Sequence, residues 1–288
     1  MKELVVVSGK GGTGKTCIVG SFAAVARNKV LVDCDVDASN LHLLLKPEQS
    51  DQIHFYGMPK AVIDKDKCSE CSICADLCRF DSIKDKEFEV NSLACEGCAV
   101  CYHACPNQAI RMAEHLSGYL YISDTRFGRL VHARLGIGEG NSGKLVAAVR
   151  QQARKIAADN QCDLIVTDGP PGIGCPVISS LSGADLALIV TESTLSGLHD
   201  MERVLALVDH FEGKAAVCIN KFDLSISNTE EIQRKCKEKG VPVAGKIPYD
   251  KEVIEAVRAG CPVVDYTSGK VTDSILGLWN EIKKQLSL

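Results

Sequence analysis

The chain has 288 residues, 45% hydrophobic and 24% charged, which suits a globular protein with one large domain or two modest ones. Its formal net charge of −4 gives no electrostatic reason to expect nucleic acid or an anionic membrane as a partner. The sequence has no apolar run of about 18 residues and starts directly with a strand pattern, so we expect neither a membrane span nor a signal peptide. Fifteen cysteines in such a chain indicate reduced thiols and metal ligands in a reducing cytoplasm.

Short apolar runs alternate with helical patterns along most of the chain. Strands are predicted at residues 4–7, 30–32, 163–168, 184–191, 215–220 and, less strongly, 241–247. Helices are predicted at residues 15–27, 143–159, 196–211, 228–239 and 250–258. This alternation predicts an α/β fold, with a mostly parallel sheet and helices on both faces. Ligands of such sheets bind at the carboxyl ends of the strands.

Residues 60–112 interrupt this alternation, because they are rich in Cys, Lys and Asp and lack a long amphipathic helix. We predict that they form a small inserted domain, and that residues 1–59 and 113–288 form one domain around it. After the insert, the apolar runs 119–122 and 130–133 predict a hairpin, and the glycine-rich residues 136–143 predict a mobile segment. The apolar stripe of residues 272–288 predicts a helix that packs on the sheet, since it has too few basic residues for a membrane-surface helix.

A glycine-rich loop, Gly9-Lys10-Gly11-Gly12-Thr13-Gly14-Lys15-Thr16, follows the first strand and opens the first helix. The pattern G-x4-G-K-T in this context is typical of a nucleotide-binding loop. Its backbone amides and the helix dipole would bind phosphate oxygens. Lys15 would neutralise the β- and γ-phosphates, and the Thr16 hydroxyl would bind Mg²⁺.

The additional lysine of this loop, Lys10, resembles the signature lysine of the MinD/ParA-type ATPases, a group that includes the nitrogenase iron protein and the Mrp-type cluster carriers. The resemblance implies a nucleotide-sandwich dimer in which Lys10 reaches the partner's phosphates. Residues 32–37 resemble the first switch of the family, in which Asp35 would orient the attacking water. Residues 165–172 resemble its second switch, in which Asp168 would hold Mg²⁺. Lys10, Lys15 and Asp35 are thus the implied catalytic residues.

Two segments near the carboxyl end of the sheet, residues 220–223 and 247–250, resemble the family's base-binding segments. The N-K-x-D spelling at 220–223 also occurs in GTPases, so the choice between ATP and GTP stays open, although the family context favours ATP. The implied Mg²⁺ ligands are Thr16, Asp35 and Asp168. The implied nucleotide contacts are Gly9, Lys10, Gly11, Gly12, Thr13, Gly14, Lys15, Thr16, Cys17, Asn220, Pro248 and Asp250.

Eight cysteines form two identical C-x2-C-x2-C-x3-C frames. Thiolates are soft ligands, and this spacing lets each frame hold three corners of one 4Fe-4S cluster and one corner of the other. Zinc sites use differently spaced pairs of ligands. The predicted cluster ligands are Cys68, Cys71, Cys74 and Cys105 for the first and Cys95, Cys98, Cys101 and Cys78 for the second. The insert resembles a bacterial ferredoxin with two 4Fe-4S clusters, except that Arg79 stands where proline usually follows.

These motifs favour an ATPase that hydrolyses ATP to ADP and phosphate and couples a nucleotide-driven dimer switch to electron transfer through two 4Fe-4S clusters. The expected cofactors are therefore ATP, Mg²⁺ and the two clusters. The expected partners are a second copy or a close paralogue, together with a redox protein or metalloprotein whose identity the sequence does not give. Alternatives are a metallocluster maturation factor and a positioning ATPase with structural clusters. An ATP-dependent amide ligase ranks last, because no glutaminase triad is visible. Cys175, seven residues after Asp168, has either a redox or metal role or a packing role.

Overall fold

The computed structural model of the protein describes residues 1–140 and 142–288. Over these residues the strands are β1 (Lys2–Ser8), β2 (Lys29–Asp33), β3 (Gln49–Tyr56), β4 (Lys60–Ile63), β5 (Ile83–Lys84), β6 (Glu89–Val90), β7 (Ile110–Ala113), β8 (Leu116–Thr125), β9 (Gly128–Leu135), β10 (Leu164–Pro171), β11 (Leu186–Glu192), β12 (Ala215–Asn220) and β13 (Val243–Ile247). The α-helices are α1 (Lys15–Val25), α2 (Leu41–Leu45), α3 (Ile73–Asp76), α4 (Val100–Ala104), α5 (Ser142–Asp159), α6 (Cys175–Leu181), α7 (Leu195–His210), α8 (Ile226–Glu238), α9 (Lys251–Ala259), α10 (Val263–Tyr266) and α11 (Lys270–Leu286).

Nine strands form one twisted sheet in the order β13-β12-β11-β1-β10-β2-β9-β8-β3. The first seven strands in this order run parallel. At one side of the sheet, β8 pairs antiparallel with both β9 and β3. The predicted α/β fold with a mostly parallel sheet is therefore confirmed, and so is the hairpin of β8 and β9. The edge strand β3 was not predicted, because its sequence QSDQIHFY mixes polar and apolar residues without a continuous apolar run.

Helices cover both faces of the sheet. On one face, α1 and α11 pack over β1, β2, β10 and β11, and on the other face α5, α6, α7 and α8 form two further apolar clusters with the strands. The central strands are buried on both faces, which explains their continuous runs of Val, Ile and Leu. A Cβ atom at Gly245 of β13 would lie 3.1 Å from the Leu278 side chain, so the terminal helix packs on the sheet as predicted. The Trp279 ring also lies 4.9 Å from the Phe22 ring of α1. No described helix is long and apolar enough to cross a membrane.

The cysteine-rich segment lies between β3 and β8 in the chain. Its two ends pair with each other, since β4 and β7 form an antiparallel ladder from Lys60 opposite Ala113 to Ile63 opposite Ile110. Between them lie the short helices α3 and α4 and the small hairpin of β5 and β6. Its apolar interior joins Ala61, Ile83 and Ile110 to several of the cysteines. The segment thus closes on its own short ladder and has its own small interior.

Candidate functional site

The phosphate loop joins β1 to α1 and lies against residues of two other elements, α7 and β12. A Cβ atom at Gly9 would lie 2.4 Å from the Asp200 Cβ atom of α7, and one at Gly14 would lie 2.4 Å from the Asn220 Nδ2 atom. Gly14 also has a φ of 92°, which is unfavourable for any residue that carries a Cβ atom. These two glycines therefore allow the loop backbone to approach its neighbours closely, as a phosphate-binding loop requires.

The cation side of this site is formed by Thr16 and Asp168. The Thr16 hydroxyl donates a 2.6 Å hydrogen bond to Asp168 Oδ2, and Asp168 Oδ1 is buried without a hydrogen-bond partner among the described residues. Burial, reinforced by the nearby Asp33 carboxylate, raises the Asp168 pKa to about 8. A buried oxygen without a partner next to a hydroxyl fits a divalent cation, whose charge would favour the ionised carboxylate.

Two neighbouring aspartates at the end of β2 have different surroundings. The carboxylate of Asp33 accepts hydrogen bonds from the Ser39 hydroxyl at 2.7 Å and from the Asp35, Asn40 and Leu41 amides at 3.0–3.1 Å. Asp33 therefore organises the turn, and burial raises its pKa to about 6. Burial also raises the pKa of Asp35, although the charge of Lys15 opposes this effect. Of the two aspartates, Asp35 is thus the one that lies near Lys15 and does not hold the turn through its carboxylate.

Lys10 does not point into its own phosphate loop as a free cation. Its Nζ atom lies 3.2 Å from Glu192 Oε2 at the end of β11 and 3.2 Å from the Ser196 hydroxyl. Glu192 also accepts a 2.5 Å hydrogen bond from Lys221 Nζ. Burial acts to raise the pKa of Glu192, but the two lysines outweigh it and lower that pKa. Glu192 belongs to no sequence motif and could have been found only from its position at the end of a strand.

The residues predicted beside the base also brace the protein itself. The Asn220 side-chain amide donates a 2.8 Å hydrogen bond to the Thr13 carbonyl oxygen. Asp223 accepts a 2.7 Å hydrogen bond from the Tyr249 amide, which ties the segment after Pro248 to the segment after β12. Asp250 accepts from the Glu252 amide at 2.9 Å and caps α9.

The remaining predicted nucleotide contact is Cys17, the third residue of α1. Burial raises the pKa of this thiol to about 11, so it is a protonated packing group rather than a reactive nucleophile.

The structure brings together the predicted loop, cation and base segments along one edge of the sheet, where parallel strands place ligands.

The eight frame cysteines line two separate small cavities of the insert. Cys68, Cys71, Cys74 and Cys105 line the first, together with Ile63, Phe88 and Ile110. Cys78, Cys95, Cys98 and Cys101 line the second, together with Ala61, Leu77 and Met112. Each cavity thus receives three cysteines from one frame and the fourth from the other. This grouping matches the predicted sets, although the metal content of the cavities stays a prediction.

A buried charged network connects the second cysteine frame to the segment between β9 and α5. Lys60 Nζ donates a 2.6 Å hydrogen bond to the Cys95 carbonyl oxygen and lies 3.6 Å from Glu139 Oε2. Glu139 Oε1 lies 2.8 Å from His115 Nε2. Burial acts to raise the Glu139 pKa, but these partners and Ser117 outweigh it and lower that pKa. None of these residues was predicted, since isolated polar residues carry no spacing signal.

Cys175 is exposed and is the first residue of α6. A Cβ atom at Gly143 would lie 3.2 Å from the Cys175 Cβ atom, so the start of α5 lies against the start of α6. By contrast, Cys34, Cys218 and Cys236 are buried, as expected of packing residues. The exposure of Cys175 leaves both roles considered for it open.

A glycine-rich phosphate loop on a mostly parallel sheet flanked by helices defines a P-loop nucleotide-binding protein. Residues 4–263 match the family described as the CobQ/CobB/MinD/ParA nucleotide binding domain. The chain belongs to this family, which confirms the MinD/ParA-type resemblance.

Curated relatives and solved structures agree with this membership. The chain is 32% identical over 285 residues to the uncharacterized protein MJ0578 of Methanocaldococcus jannaschii, covering 98% of this chain and 96% of that one. It is 28% identical over 271 residues to a putative septum site-determining protein MinD of Tupiella akineta, covering 91% of this chain and 71% of that one. Its fold is similar to that of MinD of Pyrococcus horikoshii complexed with Mg-ADP, with a TM-score of 0.62, 18% identity and coverage of 98% and 96%.

Proposed function

We propose that this protein is an ATPase whose nucleotide cycle is coupled to electron transfer through two 4Fe-4S clusters in its inserted segment, residues 60–112. The observation that carries this proposal is the grouping of eight cysteines into two four-cysteine cavities in the same chain as a phosphate loop. A ferredoxin module stores and passes single electrons. Its place within a nucleotide switch protein is the reason to expect that nucleotide controls electron transfer.

The lining of each cavity suits a 4Fe-4S cluster by its chemistry, since four cysteines and several apolar side chains surround it. In such a cluster each cysteine binds a different iron, so the four sulfurs surround a group larger than a single ion. No group of three or more Cys, His, Asp or Glu among the described residues is arranged to hold one metal ion. When bound, the clusters would supply one-electron redox chemistry, and the cysteines named above would hold them.

The nucleotide site supports ATP hydrolysis by positioning and charge. Lys15 would bind the β- and γ-phosphates, Thr16 and Asp168 would hold Mg²⁺, and Asp35 would orient the attacking water. Similar structures include MinD with Mg-ADP and a Cyanothece McdA(D38A)-ATP complex. We propose that this chain likewise takes ATP and Mg²⁺.

Lys10 would complete the site across a nucleotide-dependent dimer, formed with a second copy or a close paralogue. To do so it must leave Glu192, which holds it within its own subunit in this structure. The pair is only partly exposed, and Glu192 would retain a second cationic partner, Lys221, after Lys10 leaves.

The charged network at Glu139 supplies a route for coupling. Glu139, which lies before α5, contacts Lys60 of the insert, and Gly143, near the start of α5, lies against Cys175. Cys175 begins the helix that follows the Asp168 segment. If the Asp168 segment moves when nucleotide binds, the movement would therefore displace Lys60, which donates a hydrogen bond to the backbone of the second cysteine frame.

The proposal is tested by reconstituting the full chain anaerobically with iron and sulfide. We expect about eight irons per chain, and cluster potentials that shift when Mg-ATP is added. Cys98→Ser should remove about half of the iron, whereas Cys162→Ser, at a half-buried cysteine outside both frames, should remove none. Zinc in place of iron, or potentials indifferent to Mg-ATP, would contradict the redox coupling.

A second candidate, a metallocluster maturation factor, is favoured by the exposure of Cys71, Cys98 and Cys175, since a donor of metal needs accessible thiols. Incubation of the iron-loaded protein with an apo iron-sulfur acceptor distinguishes the two functions. ATP-dependent transfer of iron, lost in Cys175→Ser, would favour maturation. Retention of all iron through many turnovers would favour electron transfer.

A further inference from the structure

The two cysteine frames differ at one equivalent position, which is Ser82 in the first frame and Ala109 in the second. Both lie four residues after the last cysteine of their frame. In both, the backbone amide donates to that cysteine's sulfur, over 3.4 Å from Ser82 to Cys78 and 3.3 Å from Ala109 to Cys105. The Ser82 hydroxyl adds a contact of 3.0 Å to Cys78 Sγ. Alanine cannot make this contact.

The Ser82 hydroxyl is directed at sulfur in a site without competing water, because the residue is only 3% exposed. A cysteine that ligates iron is a thiolate, which accepts hydrogen bonds but has no proton to donate. The hydroxyl must then be the donor. Through the exchange of fourth cysteines, Cys78 lines the cavity of Cys95, Cys98 and Cys101, so the additional hydrogen bond belongs to the second set.

A hydrogen bond to a ligating sulfur affects how easily a cluster is reduced. Reduction adds one electron, and part of the added negative charge resides on the sulfurs. A donor at 3.0 Å stabilises that charge, and so raises the reduction potential of its cluster. Charged residues near the second cavity include Lys60, which is paired with Glu139, and Glu96, which has a carboxylate oxygen 3.5 Å from the Cβ position of Gly140. The Ser82 hydroxyl contacts a cysteine sulfur directly, in addition to the backbone amide contacts that both frames share.

We infer that Ser82 sets the order of the two clusters, making the one held by Cys78, Cys95, Cys98 and Cys101 the more easily reduced. The inference rests on the proposed function, since it assumes that clusters fill both cavities. It adds a direction to that function. The more easily reduced cluster is the one whose frame is bonded through Lys60 to the segment 136–143 of the ATPase domain. An electron accepted from a low-potential one-electron donor would therefore reside mainly on this cluster.

The test is an anaerobic redox titration of the reconstituted full chain with dithionite and mediators, followed by electron paramagnetic resonance. Ser82→Ala should lower the higher of the two potentials and leave the other in place. Ala109→Ser, which copies the first frame into the second, should raise the lower potential. Ser82→Thr should retain the wild-type order, because it keeps the hydroxyl. Ser92→Ala is the control, since Ser92 is an exposed serine of the insert and lines neither cavity, and it should change neither potential.

Iron content separates failure of this inference from failure of the proposed function. If wild type binds no cluster, both are overturned. If Ser82→Ala holds its full iron and both potentials stay unchanged, or the lower one moves, only the order is overturned. If Ser82→Ala loses iron, Ala109→Ser decides, since a raised lower potential supports the inference and an unchanged one overturns it.

Discussion

Asn220 donates a hydrogen bond from its side-chain amide to the Thr13 carbonyl oxygen, 2.8 Å away, although 207 residues separate them in the chain. The bond joins the end of β12 to the phosphate loop. Its length and its closeness to Gly14 show that the loop is shaped in part by a residue predicted only to contact the base. The conformation of the phosphate loop therefore depends on the end of β12 as well as on β1 and α1, which the loop connects.

Asn220→Ala should weaken Mg-ATP binding, because the loop loses this brace. A hydrogen bond of this kind contributes about 1 kcal/mol, so the expected increase in Kd is about fivefold. Asn220→Asp should weaken binding further, since it places a carboxylate against a carbonyl oxygen. Isothermal titration calorimetry measures both. Asn160→Ala, which removes a similar 2.7 Å side-chain bond to a backbone carbonyl at the end of α5, is the control. Equal Kd values for Asn220→Ala and Asn160→Ala would contradict this role.

Asp168 should make the stability of the nucleotide-free protein depend on pH. Its pKa is about 8 when folded and 3.8 in its ordinary state, so the folded protein retains a proton that the unfolded chain has lost. Stability must then fall as pH rises through the interval between these values. Asp33 contributes in the same direction only up to its pKa of about 6, so above about pH 6.5 the difference in slope between wild type and an Asp168 variant reports Asp168.

Urea unfolding without Mg²⁺ at about pH 6.5 and about pH 8 checks this, with Asp168→Asn as the comparison. The variant should lose the Asp168 contribution to the slope and be the more stable protein at the higher pH. It should also lose the stabilisation that Mg-ATP gives to wild type, because the buried oxygen no longer binds the cation. An identical pH slope in both proteins would show that Asp168 is ionised in the free protein.

Glu139→Gln should destabilise the protein by about 3–5 kcal/mol, because it leaves the Lys60 ammonium buried without its counter-charge. Glu87→Gln is the matched control within the insert. It removes one partner of the exposed pair with Lys84 and should change stability by less than about 1 kcal/mol. The double variant Lys60→Met with Glu139→Gln should recover much of the loss. The free energy of unfolding in urea gives all four values, and equal effects of the two Glu→Gln changes would refute a buried ion pair.

Trp279→Ala should cost about 3–5 kcal/mol of folding stability, because the indole packs on Phe22 in the main core. Leu288→Ala, at the exposed end of the chain, should have little effect. The same variants test the alternative of a membrane-positioning ATPase. Sedimentation with anionic vesicles should show no Mg-ATP-dependent binding in any of the three proteins. Vesicle binding that Trp279→Ala abolishes without loss of stability would instead assign the helix to membranes.

The parts of the fold that could be predicted are those whose physical cause is local in the sequence. β1, β2 and β10 are buried on both faces, so each is a continuous apolar run, and the phosphate loop is one contiguous segment with its own spacing. β3 could not be predicted, because it is held by a non-local hydrogen-bond ladder with β8 and its residues show no continuous or alternating apolar pattern. The cysteine groups were predictable, because their spacing encodes the exchange of the fourth ligand.

The parts of the site that could not be predicted are single residues whose meaning comes from tertiary contact. Glu192 holds Lys10 and Lys221, yet a glutamate at a strand end has no distinguishing signal. Asp33 and Asp35 both lie in the segment 32–37, and only the four hydrogen bonds to Asp33 distinguish the residue that holds the turn from the candidate for orienting water. Lys60, His115 and Glu139 are distant in sequence, so their association becomes evident only when the insert is folded against the sheet.

The exchange of the fourth cysteine has a consequence for how the protein is made. The first cavity needs Cys105, which leaves the ribosome 31 residues after Cys74, and the second needs Cys78 from the frame made earlier. The second set is complete once Cys101 has emerged, and the first once Cys105 has emerged four residues later. The two sites should therefore mature together, and a nascent chain that has not reached Cys101 would offer only incomplete sets to any metal in the cell.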